Sequence, residues 1–126
     1  MLFRSEGKLG TTPVVIAASA PPDKVAAVQA RFGRDAAGAL IEDAMARIAF
    51  ALVERGVRRM VVAGGETSGA AVARLGVRSL RIGPEIDPGV PWTLAEGSGP
   101  PLMLALKSGN FGAPDFFTKA FAMLEA

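Results

Sequence analysis

Apolar positions along the chain form short continuous runs in some places and helical repeats in others. Three short runs, the first of them rich in β-branched residues, predict strands at residues 13–18, 58–63 and 79–82, the first two of them buried. Residues 1–12 show no period, and we expect them to form a loose N-terminal arm. The N-terminal two thirds of the chain therefore alternate between strand and helix patterns.

The stretches between the predicted strands have the repeat of amphipathic helices. Residues 23–32 predict a short helix that Gly33 ends, and residues 35–55 predict a long one. The predicted buried face of the long helix consists of apolar residues four, three and four positions apart: Ile41, Met45, Ile48 and Leu52. A third helix is predicted over residues 70–75.

The last third of the chain contains many prolines, which exclude long helices there. Two apolar stretches, residues 90–94 and 102–106, flank a polar segment with glycines and predict a β-hairpin. A last helix is predicted over residues 114–124, with Pro114 in its first turn. The order of elements predicts an α/β fold of three layers, with a largely parallel sheet flanked by helices and an added β-hairpin.

Composition narrows the chemistry that this chain can perform. Its 126 residues are 50% hydrophobic, which fits one domain with a real core. The chain has no Cys, His or Tyr, which excludes disulfides, thiolate or imidazole metal sites and histidine acid–base chemistry within it. Its chemistry must therefore use carboxylates, Lys, Arg, hydroxyls, backbone amides or a hard cation held by oxygens.

Charge and hydropathy indicate the kind of partner to expect. The net charge is only +2, and the high sequence pI of about 9.5 follows from the scarcity of groups that titrate near neutral pH. Because Lys and Arg are scattered among acidic residues, we expect no nucleic-acid partner. With no signal peptide and no apolar run long enough to span a membrane, we expect a soluble, cytoplasmic protein without a membrane partner.

The segment 64–69 (GGETSG) is the first candidate site, because it joins a predicted strand to a predicted helix. Its glycines allow close approach of the backbone to a ligand, and Thr67 or Ser68 can cap the helix, whose N-terminus favours an anion. Neither GxxxxGK[ST] nor GxGxxG fits, and a tight turn is as consistent with the local residues as a phosphate site. Glu66 would repel phosphate, so it suits Mg²⁺ or a ribose hydroxyl, with helix capping as the alternative.

The segment 107–112 (KSGNFG) is the second candidate, at the end of another predicted strand. Lys107 could bind a phosphate as a point charge, and Asn110 could donate to an oxyanion or a base edge. The alternative is a glycine turn with Lys107 in solvent. Because ligands of open α/β sheets bind at the carboxyl ends of the strands, two glycine loops at two such ends favour a nucleotide.

A third candidate is the Pro- and Gly-rich segment 82–92. Its acidic residues Glu85 and Asp87 could bind a cation, and Trp92 could stack on a base. The alternative is a stiff connector, with Trp92 in the core or at an interface.

Residues 61–92 and 104–121 resemble the C-terminal nucleotide-binding domain of the four-carbon acid sugar kinase family, and most of all its 3-oxo-tetronate kinase branch. The motifs that carry this resemblance are GGETSG, GPEIDPGVPW and KSGNFG, and the likeness extends over residues 13–124. It implies ATP-dependent phosphorylation of the terminal hydroxyl of a four-carbon sugar acid, with Mg²⁺. Phosphoryl transfer depends mainly on positioning and charge neutralisation, which glycine loops, a Lys and a cation can provide.

The resemblance also assigns expected binding residues. The family's nucleotide loop falls on residues 64–67, and a later nucleotide contact falls on Gly109. With the second loop included, the expected set for ATP or ADP is Gly64, Gly65, Glu66, Thr67, Lys107, Gly109, Asn110 and Gly112. No catalytic residue is expected in this chain.

The chain departs from the family in what it lacks. Family members are several times longer, and their N-terminal domain binds the sugar acid and is expected to supply the base. A family segment that resembles GSCS and opens the nucleotide domain is absent here, and residues 1–12 have no match. We therefore expect residues 13–126 to be an incomplete nucleotide-binding domain that is inactive alone. The rival hypothesis is a non-catalytic α/β module that forms a homodimer or docks on a partner.

Overall fold

The computed structural model of the protein describes residues 2–4, 14–17, 21–109 and 111–124. Its strands are β1 (Leu2–Arg4), β2 (Val14–Val15), β3 (Arg59–Ala63), β4 (Val77–Asp87), β5 (Val90–Gly97) and β6 (Leu102–Lys107). Its helices are α1 (Pro22–Phe32), α2 (Arg34–Glu54), α3 (Gly65–Arg74) and α4 (Phe116–Met123). Within these described ranges, no helix combines the length and the apolar character needed to cross a bilayer.

The six strands form one mixed sheet in the order β2-β1-β3-β6-β5-β4. The predicted α/β class and the predicted hairpin, which is β5 with β6, are confirmed. The parallel character is confined to the pair β3 and β6, and the other neighbouring strands are antiparallel. The reason is that the predicted strand at residues 79–82 belongs to the longer β4, which returns directly into β5 at Gly89 instead of entering a crossover helix.

The sheet separates two apolar cores, as the alternation of side chains along β3 shows. Met60 and Val62 face the core beneath α2 and α3, whereas Val61 faces the core beneath α4. All three side chains are fully buried. Helices therefore cover both faces of the sheet, and the predicted three layers are confirmed.

Trp92 lies in the second core, where it anchors α4. Its side chain is fully buried, and its indole N–H donates to the carbonyl oxygen of Ala120 at 2.7 Å. Its ring lies edge-on to Phe121, with the ring centroids 5.8 Å apart. The interpretation of Trp92 as a core residue is confirmed, and its stacking on a base is wrong because the ring is out of reach of a ligand.

The N-terminal elements differ from the prediction in their position and burial. The three residues of β1 pair with β3, so for them the prediction of a loose arm is wrong. β2 lies at the edge of the sheet, and Val14 and Val15 are exposed, contrary to the predicted burial. α1 has nearly its predicted bounds, but it packs mainly on α2 and buries none of its residues. On α2, Met45 is buried as predicted, whereas Ile41 is 46% exposed.

The helices α3 and α4 begin at residues other than those that the sequence pattern predicts. α3 starts at Gly65, inside the segment that the sequence marks as a loop, because Gly64 turns the chain directly into the helix with φ of 108°. α4 starts at Phe116, so Pro114 precedes the helix instead of lying in its first turn. A turn closed by the N–H of Phe116 on the carbonyl oxygen of Ala113 comes first.

Candidate functional site

The two glycine segments meet at the carboxyl ends of the parallel strands β3 and β6. Ala63 and Lys107 are register partners, and the next backbone N–H, that of Gly64, donates to the carbonyl oxygen of Lys107 at 2.7 Å. A Cβ added to Gly65 would lie 3.5 Å from the hydroxyl oxygen of Ser108. The prediction that both segments share one edge of the sheet is therefore confirmed. Ser108 is a residue of this edge that the sequence did not single out.

The first segment is mostly the first turns of α3. Gly64 is the N-cap residue, and no side chain caps this helix, so the predicted cap by Thr67 or Ser68 is wrong. Ser68 lies inside the helix, where its backbone N–H donates to Gly64 at 2.8 Å and its hydroxyl donates to the carbonyl oxygen of Val62 at 3.3 Å. The first-turn N–H groups, up to that of Thr67, precede the first intrahelical bond and point out of the helix, where they suit an anion.

The second segment bends back over the end of β6. The ammonium group of Lys107 donates to the carbonyl oxygen of Gly109 at 2.8 Å. Gly109 and Gly112 both have positive φ, at 53° and 95°. A Cβ added to Gly112 would lie 3.2 Å from Cε of Lys107 and 2.8 Å from Phe116. The loop therefore holds one cationic side chain at the sheet edge. Asn110 lies outside the described residues.

Glu66, in the first turn of α3, contacts Glu42 of α2. A hydrogen bond between the two side chains, with some burial and the nearby negative charge, raises the pKa of Glu42 above its ordinary value. Two carboxyl groups can form such a bond only when one of them carries a proton. Helix capping by Glu66 is wrong, since no side chain caps α3. No local sequence pattern indicates Glu42 as a site residue, because its contact with Glu66 joins two different helices.

The two glutamates lie in the wall of a cavity of about 930 Å³ between α1, α2 and the start of α3. Lys24, Arg34 and Asp35 supply its other charged groups, and much of the remaining lining is apolar. Its size is in the range of ligand cavities. The GGETSG segment is therefore bordered by the second glycine loop on one side and by this cavity on the other.

The acidic residues of the third candidate segment accept hydrogen bonds from their own chain. Glu85 accepts from the backbone N–H of Gly89 at 2.8 Å. Asp87 accepts from the backbone N–H of Ala113 at 2.9 Å and from the ammonium group of Lys119. The hydrogen bond from Lys119 is the main cause that lowers the pKa of Asp87, and the hydrogen bond from the Ala113 amide is the next. The same pairing with Asp87 raises the pKa of Lys119. The interpretation as a connector is therefore wrong in its structure, because the segment is the end of β4, a tight turn and the start of β5, paired as a β-hairpin.

Possible cation ligands are few at this edge of the sheet. Leaving aside the undescribed residues, no three Asp or Glu side chains converge in a group that could hold a metal ion. In the described part of the chain, Glu42 and Glu66 are a pair of carboxyl groups without a third beside them. Mg²⁺ commonly uses one or two carboxylates together with the phosphates of its substrate, and the pair fits that need.

Two glycine loops, an uncapped helix start and a Lys at one sheet edge are features that suit a nucleotide, and the comparisons with known proteins give the class of domain. The family model described as nucleotide-binding C-terminal domain matches residues 4–117. The chain belongs to this family, the C-terminal domain of four-carbon acid sugar kinases. A 3-oxo-tetronate kinase of Methylobacterium radiotolerans is 58% identical over 120 residues, which are 95% of this chain and 28% of that protein.

Solved structures of the family have the same fold. A crystal structure of a Haemophilus influenzae protein superposes with a TM-score of 0.72 at 46% identity, over 83% of this chain and 25% of that one. A Bordetella bronchiseptica protein, described as a domain-swapped dimer, gives a TM-score of 0.54 at 26% identity over 60% of this chain and 19% of that one. This chain spans about a quarter of the length of the curated relatives that it matches.

Proposed function

We propose that the chain binds ATP and ADP as the nucleotide-binding part of a kinase that phosphorylates the terminal hydroxyl of a four-carbon sugar acid. The observation that carries this proposal is the junction of the two glycine loops through Gly64 and Lys107. It puts an uncapped helix start and an ammonium group at one edge of the sheet. Relatives named 3-oxo-tetronate kinase suggest a 3-oxo-tetronate as the phosphoryl acceptor.

The chemistry of the edge suits nucleotide phosphates. The first-turn N–H groups of α3 and the helix dipole favour a negative group in front of Gly65. Lys107 adds a full positive charge beside the second loop. Phosphoryl transfer needs such positioning and charge neutralisation more than it needs covalent chemistry from the protein.

Glu66 is the residue that we assign to Mg²⁺. It lies in the first turn of the same helix, where a bare carboxylate would repel phosphate and a carboxylate with a cation would not. When bound, Mg²⁺ neutralises the charge of the phosphates. Glu42 contacts Glu66 and would bring a second carboxylate to the cation.

The cavity beside Glu66 is the space that we assign to the nucleoside. Val25, Val28 and Ile41 give it apolar surface for a base, and its volume of about 930 Å³ leaves room for a ribose. A nucleotide would then extend from the cavity, past Glu66, to the crevice between the two glycine loops.

We further propose that the chain by itself does not phosphorylate a sugar acid. Because it spans about a quarter of the kinases that it matches, binding of the sugar acid and the catalytic base are assigned to the N-terminal domain of such kinases. No residue of the chain is proposed as the base.

Calorimetric titration of the chain with Mg·ADP tests nucleotide binding. We expect binding in the wild type and its loss in Gly65→Asp, which directs a carboxylate into the crevice toward Ser108. Binding that this substitution leaves intact contradicts the site. In a parallel assay with a 3-oxo-tetronate and Mg·ATP, turnover by the chain alone would contradict its proposed inactivity.

Self-association is the second candidate role, and exposed apolar side chains favour it. Phe32 of α1 is 50% exposed and Leu40 of α2 is 59% exposed. The Bordetella bronchiseptica relative described as a domain-swapped dimer adds support. We propose a homodimer, which light scattering coupled to size-exclusion chromatography tests. A single monomeric species over a wide range of concentration rules it out.

A further inference from the structure

Asp87, the last residue of β4, connects the β4–β5 turn to the start of α4. Its side chain is 7% exposed, and its two oxygens have different partners. One accepts from the backbone N–H of Ala113 at 2.9 Å, and the other accepts from Lys119. Burial of a carboxylate is costly unless both oxygens find donors, and here both do.

The same turn meets the second glycine loop at another point. Gly89 has φ of 82°, and a Cβ added there would lie 3.2 Å from the ring of Phe111. The Glu85 carboxylate closes the turn on the N–H of Gly89. Phe111 and Ala113 therefore both lie against a turn that its own hydrogen bonds hold in shape.

Among its described residues, the glycine loop is closed from within by the N–H of Phe111, which donates to the carbonyl oxygen of Ser108 at 3.2 Å, and this bond leaves Gly112 and Ala113 to be held from outside. Gly109 and Gly112 adopt positive φ, and glycine moves easily between such conformations and others. Lys107 holds the first part of the loop through the carbonyl oxygen of Gly109. The N–H of Ala113, which directly follows Gly112, is the point where Asp87 holds the second part.

We propose that Asp87 is a positioning residue for nucleotide binding, which fixes residues 111–113 and with them the loop that faces the start of α3. This inference rests on the proposed nucleotide site and extends it to a residue outside both glycine segments. Lys119 serves to offset the charge of the buried Asp87. The buried acid of the GPEIDPG motif is therefore placed to act through the loop and not as a ligand.

The test compares Asp87→Ala with Asp87→Asn in two measurements: amide hydrogen exchange at Phe111, Gly112 and Ala113, and the Kd for Mg·ADP by calorimetry. We expect D87A to speed hydrogen exchange at the Ala113 amide and to raise the Kd for Mg·ADP about tenfold. D87N keeps an oxygen acceptor for Ala113, so we expect it to restore slow exchange and to bring the Kd within about threefold of wild type.

Trp92→Phe serves as the control for a merely structural effect. It removes the hydrogen bond to Ala120, which holds the same helix α4 to the sheet, and leaves Asp87 and Ala113 untouched. We expect it to lower the melting temperature with an unchanged Kd. If D87A and W92F both weaken the binding of Mg·ADP in proportion to the fall in their melting temperatures, Asp87 has no positioning role.

The outcomes separate this proposal from the proposed function. Slow exchange at Ala113 together with a wild-type Kd in D87A overturns the role of Asp87. If the wild type binds no Mg·ADP, the nucleotide function fails, and the affinity role of Asp87 fails with it, while hydrogen exchange still decides whether Asp87 holds the loop. Should D87A not fold, Asp87→Ser, with its shorter polar side chain, replaces it in both measurements under the same criteria.

Discussion

The backbone N–H of Gly64 donates to the carbonyl oxygen of Lys107 at 2.7 Å, one step beyond the last register pair of β3 and β6. The parallel ladder thus continues out of the strands and into the two glycine loops. Because this hydrogen bond joins Gly64 of one loop to Lys107 of the other, a change that moves either residue should alter nucleotide binding at both loops.

Gly65→Asp should abolish most of the affinity for Mg·ADP. The new Cβ has ordinary contact distance to Ser108, so the fold accepts it, but the carboxylate then occupies the crevice and repels phosphate. We expect a rise in Kd of at least about tenfold by calorimetry. Gly69→Asp is the matched control, since a Cβ at Gly69 meets nothing within 4 Å, and it should bind as the wild type does.

Glu66→Gln should change the binding of ADP in opposite directions with and without Mg²⁺. The carboxylate lies in the first turn of α3, where it attracts a metal–phosphate complex and repels a bare phosphate. We expect Mg·ADP to bind about tenfold more weakly and metal-free ADP to bind more tightly than in the wild type. Equal weakening in both titrations would instead indicate that Glu66 accepts from the ribose.

The pair of Glu42 and Glu66 should make stability depend on pH above the ordinary range of carboxyl groups. The contact raises the pKa of Glu42 in the folded state. The stability that comes with a raised carboxyl pKa is fully present at a pH below the pKa of the group in the unfolded chain, near 4.5. It is lost as the pH rises through the higher pKa that the group has in the folded protein. The melting temperature of the wild type should therefore fall as the pH increases through that window.

Glu42→Gln removes this dependence. The amide donates to Glu66 without needing a shared proton, so the variant should lose the decline and be at least as stable as the wild type at pH 7. Glu54→Gln, the same change at the exposed end of α2, should keep the decline. Identical pH profiles for E42Q and the wild type would show that the two carboxyl groups do not share a proton.

Val28→Trp should block the cavity without harming the fold. Val28 lines the cavity and is 45% exposed, so a larger side chain fills the space assigned to the nucleoside and little of the core. We expect a loss of Mg·ADP affinity of about tenfold, with a melting temperature near that of the wild type. Leu40→Trp adds a ring to an exposed position that does not line the cavity. If both variants bind ADP equally well, the nucleoside does not use the cavity.

Local patterns were enough to predict much of the fold and the junction of the two loops. The strand β3 and the helices α1 and α2 follow directly from apolar spacing. The meeting of Gly64 and Lys107 follows from a general property of neighbouring parallel strands, whose carboxyl ends share one edge. The binding role of the loops stays a prediction.

Other features depend on contacts that no local pattern contains. Glu42 and Glu66 belong to different helices, and Asp87 and Lys119 are 32 positions apart, so their pairing exists only after the chain has folded. The start of α3 was misplaced because two glycines and polar residues are typical of a loop, while the conformation of Gly64 allows a helix to begin at once.

Trp92, described above as the anchor of α4, also gives the protein a built-in optical reporter. It is the only tryptophan in a chain without tyrosine, and its indole is buried against the helix that follows the second glycine loop. Its emission should therefore shift to longer wavelength whenever α4 leaves the sheet and water reaches the ring. The docking of that helix can be followed by fluorescence in the unlabelled protein, in real time and at low concentration.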